Sequence, residues 1–403
     1  MMTDDKRAPW LTILGWGESG TEGLTPASRG VLETAEVVFG ARRHLRLLPP
    51  LGAEVREWPV PFADGIPLLL AERGRRVVLL ASGDPFWFGA GTSLTRHLAA
   101  GEWQAQPSPS TFSLAASRLG WALEGCSCLG LHAKPLTRIR PQLQRGRRLL
   151  VLLRDGEAVR ELAGLLRRFG FGTSRLWLLE SLGGVDERIR MLRANAGLPV
   201  NIAHPVALGL KVDGEGPALP LTPGLPDALF EHDGQITKQA VRAMTLAALA
   251  PAPGERLWDI GTGSGSVAIE WLLAHPDNRA QGFERSAERA ARARRNARNL
   301  GVDWLEVVQG AAPAVLAEQP PPDAVFVGGG LSAPLLEHLW QTLPVGVRLV
   351  ANAVTLESEA LLVEWQRRAG GELLRLELSS VAAIGSRRGW KASYPIVQWR
   401  VTR

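Results

Sequence analysis

The chain has 403 residues, 45% of them hydrophobic and 21% charged, with a net charge of +6 at pH 7. That length exceeds one ordinary hydrophobic core and predicts two domains of about 200 and 180 residues. No apolar run approaches the ~18 residues that span a bilayer, and the opening MMTDDKRAPW lacks the apolar core of a signal peptide, so a cytoplasmic protein without a membrane partner is expected.

In chain order, Leu11 to Leu14, Val77 to Ala81, Leu149 to Leu153 and Leu176 to Leu179 read as strands. Pro26 to Val38, Gly91 to Ala100, Thr111 to Leu119 and Ala158 to Phe169 read as helices between them. This alternation predicts α/β layers around a largely parallel sheet. Cys126 and Cys128, with His132 nearby, are too few ligands for a closed zinc site, so no metal is expected. After a last apolar run, Val206 to Val212, the Gly/Pro-rich stretch that follows reads as a linker. The expected organisation is a first domain over 1–213, a linker over 214–226 and a second domain over 227–403.

The second half repeats the alternation. Helices are expected at Lys238 to Leu249, Val267 to His275 and Ala287 to Leu300. Strands are expected at Arg256 to Ile260, Ala280 to Phe283, Leu305 to Gln309, Ala324 to Val327, Val347 to Asn352 and Pro395 to Val401. Such an order suits a doubly wound sheet, whose ligands lie at the carboxyl ends of the strands, where Gly261, Glu284, Gly310 and Gly328 would gather.

The most telling local pattern is LWDIGTGSG, an apolar strand running into Gly261-Thr262-Gly263-Ser264-Gly265 and then a helix. Alternate glycines allow a tight turn and close backbone approach, and the following helix aims free N–H groups at the same spot. A dinucleotide fingerprint needs glycine at 266; Ser266 stands there, and the spacing favours S-adenosylmethionine over NAD. Glu284, at the end of the next strand, is placed to accept hydrogen bonds from both ribose hydroxyls. In the first half, Gly15-Trp16-Gly17-Glu18-Ser19-Gly20 matches G-x-G-x-x-G literally, yet Thr21 to Thr25 intervene before the helix, so no helix N-terminus is delivered to a phosphate.

Taken with DIGTGSG, the stretches Asp233-Gly234-Gln235-Ile236-Thr237-Lys238 and Val350-Ala351-Asn352-Ala353 resemble the decarboxylating precorrin methyltransferases of cobalamin biosynthesis. The resemblance is to the branch that fuses a tetrapyrrole methylase to a C15-methyltransferase. It implies an N-terminal two-subdomain α/β tetrapyrrole-methylase fold followed by a Rossmann-like class I methyltransferase domain, with one S-adenosylmethionine site in each. It further implies that Thr237, Gly261 to Gly265, Glu284 and Ala312 contact the cofactor, and that Gly328, Gly329, Gly330 and Asn352 form the substrate-facing rim. In the first half Ala81-Ser82-Gly83-Asp84-Pro85 and Pro107-Ser108-Pro109-Ser110-Thr111-Phe112 carry the likeness, implying that Asp84, Ser110, Thr111 and Phe112 line the other cofactor site. A serine and threonine before a helix also suit a helix cap, and for Ser110 that reading stands beside the first.

The acceptor implied by this resemblance is a tetrapyrrole, methylated at C5 and C15 with decarboxylation of an acetate side chain. The second half contains no cysteine, which excludes the thiolate attack used on pyrimidine carbons. Lys238, Arg242, Arg387, Arg388 and Lys391 are candidates to hold substrate carboxylates. Arg289, Arg292, Arg294, Arg295 and Arg298 read as solvated surface. A homo-oligomer without nucleic acid is expected. Two rivals stand beside this reading: an RNA methyltransferase, motivated by the charge and the DIGTGSG site, and a noncatalytic tetrapyrrole- or cofactor-binding regulator.

Overall fold

The computed structural model describes residues 8–403, so most of the opening segment weighed as a signal peptide lies outside the described residues. The chain divides into two compact units, one reaching to Leu136 and resuming over Gln142–Pro217, the other made of Thr137–Pro141 and Ala218–Arg403.

The first unit holds two five-stranded sheets. Strands β1 (Leu11–Trp16), β2 (Val37–Gly40), β3 (Glu54–Glu57), β4 (Val77–Ser82) and β5 (Trp103–Gln106) form a parallel sheet in the order β3-β2-β4-β1-β5. All six residues of β1 are buried, the continuous apolar run that a strand covered on both faces requires. Strands β6 (Cys126–Gly130), β7 (Arg148–Leu152), β8 (Arg175–Glu180), β9 (Arg188–Arg193) and β10 (Val206–Lys211) form the second sheet, ordered β6-β7-β10-β8-β9. Only β6 and β7 pair in parallel there, so the largely parallel pairing expected for this half holds in the first sheet and not in the second.

Two helix boundaries also differ from expectation. The helix begun at Pro26 stops at Glu33, and Val37 and Val38 enter β2 instead, where two β-branched residues suit the pleat better than a helix. Gly91 to Ala100 reduces to a short helix, Gly91–Leu94, and one tight turn. Cys126 and Cys128 sit on the edge strand β6, where burial raises both thiols, that of Cys128 to about 11, so neither is a thiolate at neutral pH.

The second unit carries β11 (Arg256–Ile260), β12 (Arg279–Glu284), β13 (Glu306–Gln309), β14 (Ala324–Val327), β15 (Arg348–Ala353), β16 (Glu372–Leu376), the hairpin β17 (Ser379–Ile384) with β18 (Arg387–Ala392), and β19 (Ile396–Thr402). Its seven-stranded sheet runs β13-β12-β11-β14-β15-β19-β16; the first five are parallel, and β19 returns antiparallel between β15 and β16. The chain therefore winds outward from β11 to β13, then crosses back to β14, leaving a switch point between β11 and β14. Apolar clusters cover both faces, one centred on Trp271 and Phe326 and the other on Trp399 and Leu339.

The stretch 214–226 differs from a slack linker. Glu215 and Gly216 donate backbone N–H groups to the Gly170 carbonyl of the first unit, at 3.1 and 3.0 Å. Leu219 and Leu225, only 4% and 1% exposed, are buried in the core of the second. Among the described residues no helix is long and apolar enough to cross a membrane.

Candidate active sites

In the second unit the carboxyl ends of β11 and β14 meet at the switch point, where open α/β sheets hold their ligands. Gly261, Gly263 and Gly265 all have positive φ, at 72, 56 and 79°, a region that costs any side chain. A Cβ on Gly261 would lie 2.7 Å from the nitrogen and Cα of Gly329, so the loop after β14 rests against the loop after β11. One on Gly263 would meet nothing nearer than 3.9 Å, and one on Gly330 nothing within 4 Å. Gly263 and Gly330 thus leave bare backbone facing open space, while Gly261 is required by the contact with its neighbour.

Glu284 closes β12 and is 6% exposed. Its Oε2 accepts the Gly263 N–H at 3.0 Å and its Oε1 the Ser286 N–H at 2.9 Å. Each oxygen keeps acceptor capacity, so the carboxylate presents a fixed pair of acceptors to a vicinal diol. Beneath the turn, Asp259 Oδ2 accepts the Thr262 hydroxyl at 2.7 Å and the Ala268 N–H at 3.1 Å, which fastens the turn to the helix Ser266–Ala274. Burial pushes the pKa of Asp259 up to about 6. Asn296 completes the support: its Nδ2 donates to the carbonyls of Ser264 at 2.8 Å and Glu231 at 2.9 Å.

That last contact brings the Asp233–Lys238 motif into the same neighbourhood. Arg289 and Arg292 both pair with Asp233, at 2.9 and 3.0 Å, and Arg295 pairs with Glu231 at 3.0 Å. Arg292 is 9% exposed, which corrects the surface reading for that residue; Arg289 is half-buried, and Arg294, Arg295 and Arg298 are exposed. Thr237 is half-buried and Lys238 is exposed at the start of the helix Gln239–Leu249. Ala312 is half-buried in the loop after β13.

Arg242, expected at the substrate's carboxylates, is corrected. It is 0% exposed and pairs with Glu270 at 2.5 Å and Asp227 at 3.0 Å. It also donates to the carbonyls of Thr237 and Leu225 and lies over the Phe230 ring at 4.9 Å. A guanidinium so enclosed organises the 225–242 segment and has no face left for a ligand. The signal was in the sequence: Glu270 stands in the helix SVAIEWLLA, seven of whose nine residues are buried, and a carboxylate there demands a cation. Asn352, half-buried near the end of β15, donates to Thr245 Oγ1 at 2.9 Å and accepts from Gln398 Nε2 at 2.9 Å. Arg387, Arg388 and Lys391 lie on the β17–β18 hairpin, exposed to solvent.

In the first unit a cavity of about 780 Å³ opens between the two sheets. The ends of β1, β4 and β5 converge beside it: Ser108 Oγ donates to the Gly15 carbonyl at 2.8 Å, and a Cβ on Gly15 would lie 2.2 Å from the Gly83 carbonyl oxygen. Thr111 lines the cavity. Ser110 is 7% exposed and caps the helix Thr111–Leu119 by accepting the Ser113 N–H at 3.1 Å. Phe112 is 2% exposed in the apolar core, and Asp84 accepts the Phe86 N–H at 2.8 Å, closing its own turn. Phe88, which also lines the cavity, has φ 57°, a costly conformation for an aromatic residue. The sequence reading missed the polar cluster on the same wall, where Arg43 pairs with Glu18 at 2.5 Å and donates to Ser82 Oγ at 2.5 Å. The GWGESG turn runs into the tight turn Gly20–Gly23, and the helix behind it begins only at Pro26.

Residues 228–403 match the family described as precorrin methyltransferase domain, and residues 11–196 match the tetrapyrrole (corrin/porphyrin) methylases. The precorrin-6Y C(5,15)-methyltransferase [decarboxylating] of Sinorhizobium sp is 48% identical over 98% of this chain and 97% of its own length. The chain belongs to this family. The Mycobacterium tuberculosis member of the same name is 38% identical, covering 98% of this chain and all of its own (100%). The crystal structure of the C-terminal domain of the Rhodobacter capsulatus precorrin-6Y C5,15-methyltransferase is 50% identical over 46% of this chain and 100% of its own, with a TM-score of 0.45.

Membership of a methyltransferase family implies S-adenosylmethionine as the methyl donor. The second unit fits that molecule on its own geometry. Gly263 offers backbone beside open space, and the Glu284 carboxylate is held at that backbone with acceptor capacity to spare.

Proposed function

We propose that this precorrin-6Y methyltransferase family member is a bifunctional C-methyltransferase of cobalamin biosynthesis. The domain within 1–213 methylates C5 of the macrocycle, and the domain over 227–403 methylates C15 and promotes loss of carbon dioxide from the ring C acetate. The observation that carries the reading is full-length likeness: relatives named for both methylations align over 98% of the chain. Two active sites on one chain serve one substrate, because tethering raises the local concentration of the second site.

Bound S-adenosylmethionine supplies an electrophilic methyl group, and we assign one such site to each domain. In the second domain Glu284 would take the ribose hydroxyls, with Thr237, Gly261 to Gly265 and Ala312 around the cofactor. Gly328 to Gly330 and Asn352 would face the macrocycle, with Lys238 at the same rim. Asp84, Ser110, Thr111 and Phe112 are assigned to the first domain's cofactor cleft, Thr111 directly and the others through the turns and packing that shape it.

An electron-rich macrocyclic carbon attacks a sulfonium methyl without a strong base, so alignment is the main task of the protein. Gly330 suits a flat acceptor because no Cβ stands between backbone and ligand. The Asn352 amide, held by Thr245 and Gln398, offers a fixed dipole at the neighbouring strand end. The acceptor is a small molecule and not a nucleic acid, since the β14 loop presents glycine backbone in place of base-gripping side chains. The reaction is assigned to the cytoplasm and to a homo-oligomer.

Incubating the full chain with S-adenosylmethionine and the precorrin-6 substrate should yield a product heavier by two methyl groups and lighter by carbon dioxide. A product with no methyl gain overturns the reading.

A further inference from the structure

We propose that Arg43 is a carboxylate-binding residue of the cavity between the two sheets of the first unit, held in place for that purpose by Glu18 and Ser82. The inference rests on the reading of this unit as a tetrapyrrole methyltransferase.

The cavity wall is mainly apolar, with Leu79, Leu80, Leu152 and Val206 among its lining, and a guanidinium is an expensive group to place there. Arg43 Nη1 donates to Glu18 Oε1 at 2.5 Å and Nη2 to Ser82 Oγ at 2.5 Å. An arginine has five N–H donors in a rigid fork, so these two bonds fix its plane and leave donors over. Its side chain keeps 33% of its surface accessible, and both it and its partners line the cavity.

Glu18 balances the charge of Arg43 one to one without occupying all its donors. Burial lowers the pKa of Arg43 despite the Glu18 carboxylate beside it. The adjacent His44, whose Nε2 lies 3.3 Å from Ser82 Oγ, is pushed down to about 3 by burial and by Arg43 itself, so it stays neutral. His132 and His204 line the same cavity, and burial lowers both. Arg154, the other lining cation, is occupied by Asp155 and Glu161 at 2.9 and 3.4 Å. An incoming anion thus finds one guanidinium with free donors in an apolar surround, where a charge-assisted hydrogen bond is strong. Both ligands of a tetrapyrrole methylation carry the matching group: the aminoacyl tail of S-adenosylmethionine and the acidic side chains of the macrocycle.

The test compares full-length wild type with Arg43→Ala and Arg43→Lys. Binding of S-adenosylhomocysteine and of the precorrin is read by calorimetry, each fitted to one site per domain, and C5 methylation by product mass. Removing one charge-assisted contact should weaken one ligand by about ten- to a hundredfold, with Arg43→Lys recovering part of the loss and C15 methylation on the same chain unchanged. Weakening confined to the homocysteine ligand places the carboxylate on the methyl donor. Weakening confined to the precorrin places it on the acceptor. Unchanged affinity for both in Arg43→Ala, whether or not its melting temperature falls, overturns the proposal. A wild type that binds both ligands without C5 methylation defeats the functional reading while leaving the affinity comparison to decide Arg43. A wild type that binds neither overturns both.

Discussion

Glu284 and Gly263 are joined by a hydrogen bond of 3.0 Å from the glycine N–H to the carboxylate, so the acid at the end of one strand sets the backbone of the turn at the end of its neighbour. Replacing Glu284 with Ala should remove both the acceptor pair and this brace. Loss of a charge-assisted bond of about 1.5–3 kcal/mol corresponds to a ten- to hundredfold weaker Kd for S-adenosylhomocysteine at the second domain. Calorimetry on the full chain should show one site weakened and the other intact.

Gly261 and Gly330 have the same φ of 72° and opposite surroundings. Gly261→Ala drives a methyl group into Gly329 backbone at 2.7 Å and should abolish C15 methylation. Gly330→Ala meets no protein atom and should cost about 1 kcal/mol in stability, while its methyl group intrudes on the proposed acceptor face and should raise the KM for the macrocycle. Chemical denaturation alongside the methylation assay separates the two.

Removing Arg242 strands Glu270, which is 6% exposed, without its cation. Arg242→Ala should destabilise the second domain by about 3–5 kcal/mol. Because Arg242 also donates to the Thr237 carbonyl, the variant, at a temperature where it remains folded, should bind S-adenosylhomocysteine more weakly while its KM for the precorrin stays at the wild-type value. A variant with normal stability and a raised KM for the precorrin would return Arg242 to the substrate site.

The buried Asp259 makes stability depend on pH in the direction opposite to a salt-bridged acid. Its folded pKa of about 6 stands above that of the unfolded chain, so the native state binds the extra proton, and stability falls as pH rises from about 4 through 6. Relative to Asp259→Asn, wild type should lose about 1 kcal/mol between pH 5 and pH 7.5. Urea unfolding at the two pH values measures it.

Ser110→Ala removes a helix cap and should cost about 1 kcal/mol. Because the hydroxyl is already committed to the Ser113 N–H, affinity for S-adenosylhomocysteine should change less than twofold. A larger change would give Ser110 a direct part in the cofactor cleft.

The central strands were legible because a parallel strand buried on both faces must read as an apolar run; β14, with the sequence AVFV, is buried at every position. The glycine turn was legible because its backbone conformation admits little else. Edge strands carried no such mark: β3 reads EVRE and β9 RIRMLR, charged sequences that suit an exposed edge and resemble loops in one dimension. Arg242 shows a second limit. A buried arginine and a ligand-binding one are the same letter; Glu270 in an apolar helix signals that some cation is buried, and the fold decides that it is Arg242. The pairing of Glu18 with Arg43 escaped notice for the same reason, one in the turn after β1 and the other in the short helix Arg42–Leu45.

The seating of Gly329 against Gly261 has a thermodynamic consequence. In the proposed site the cofactor's loop and the acceptor's loop share a boundary with no side chain to absorb movement, so displacement of one is transmitted to the other. Occupancy by the methyl donor should therefore bias affinity for the macrocycle, and by linkage the macrocycle must bias affinity for the donor by the same factor. Divergence toward a new acceptor through this loop would carry a reciprocal change in cofactor affinity, tying substrate range to cofactor supply.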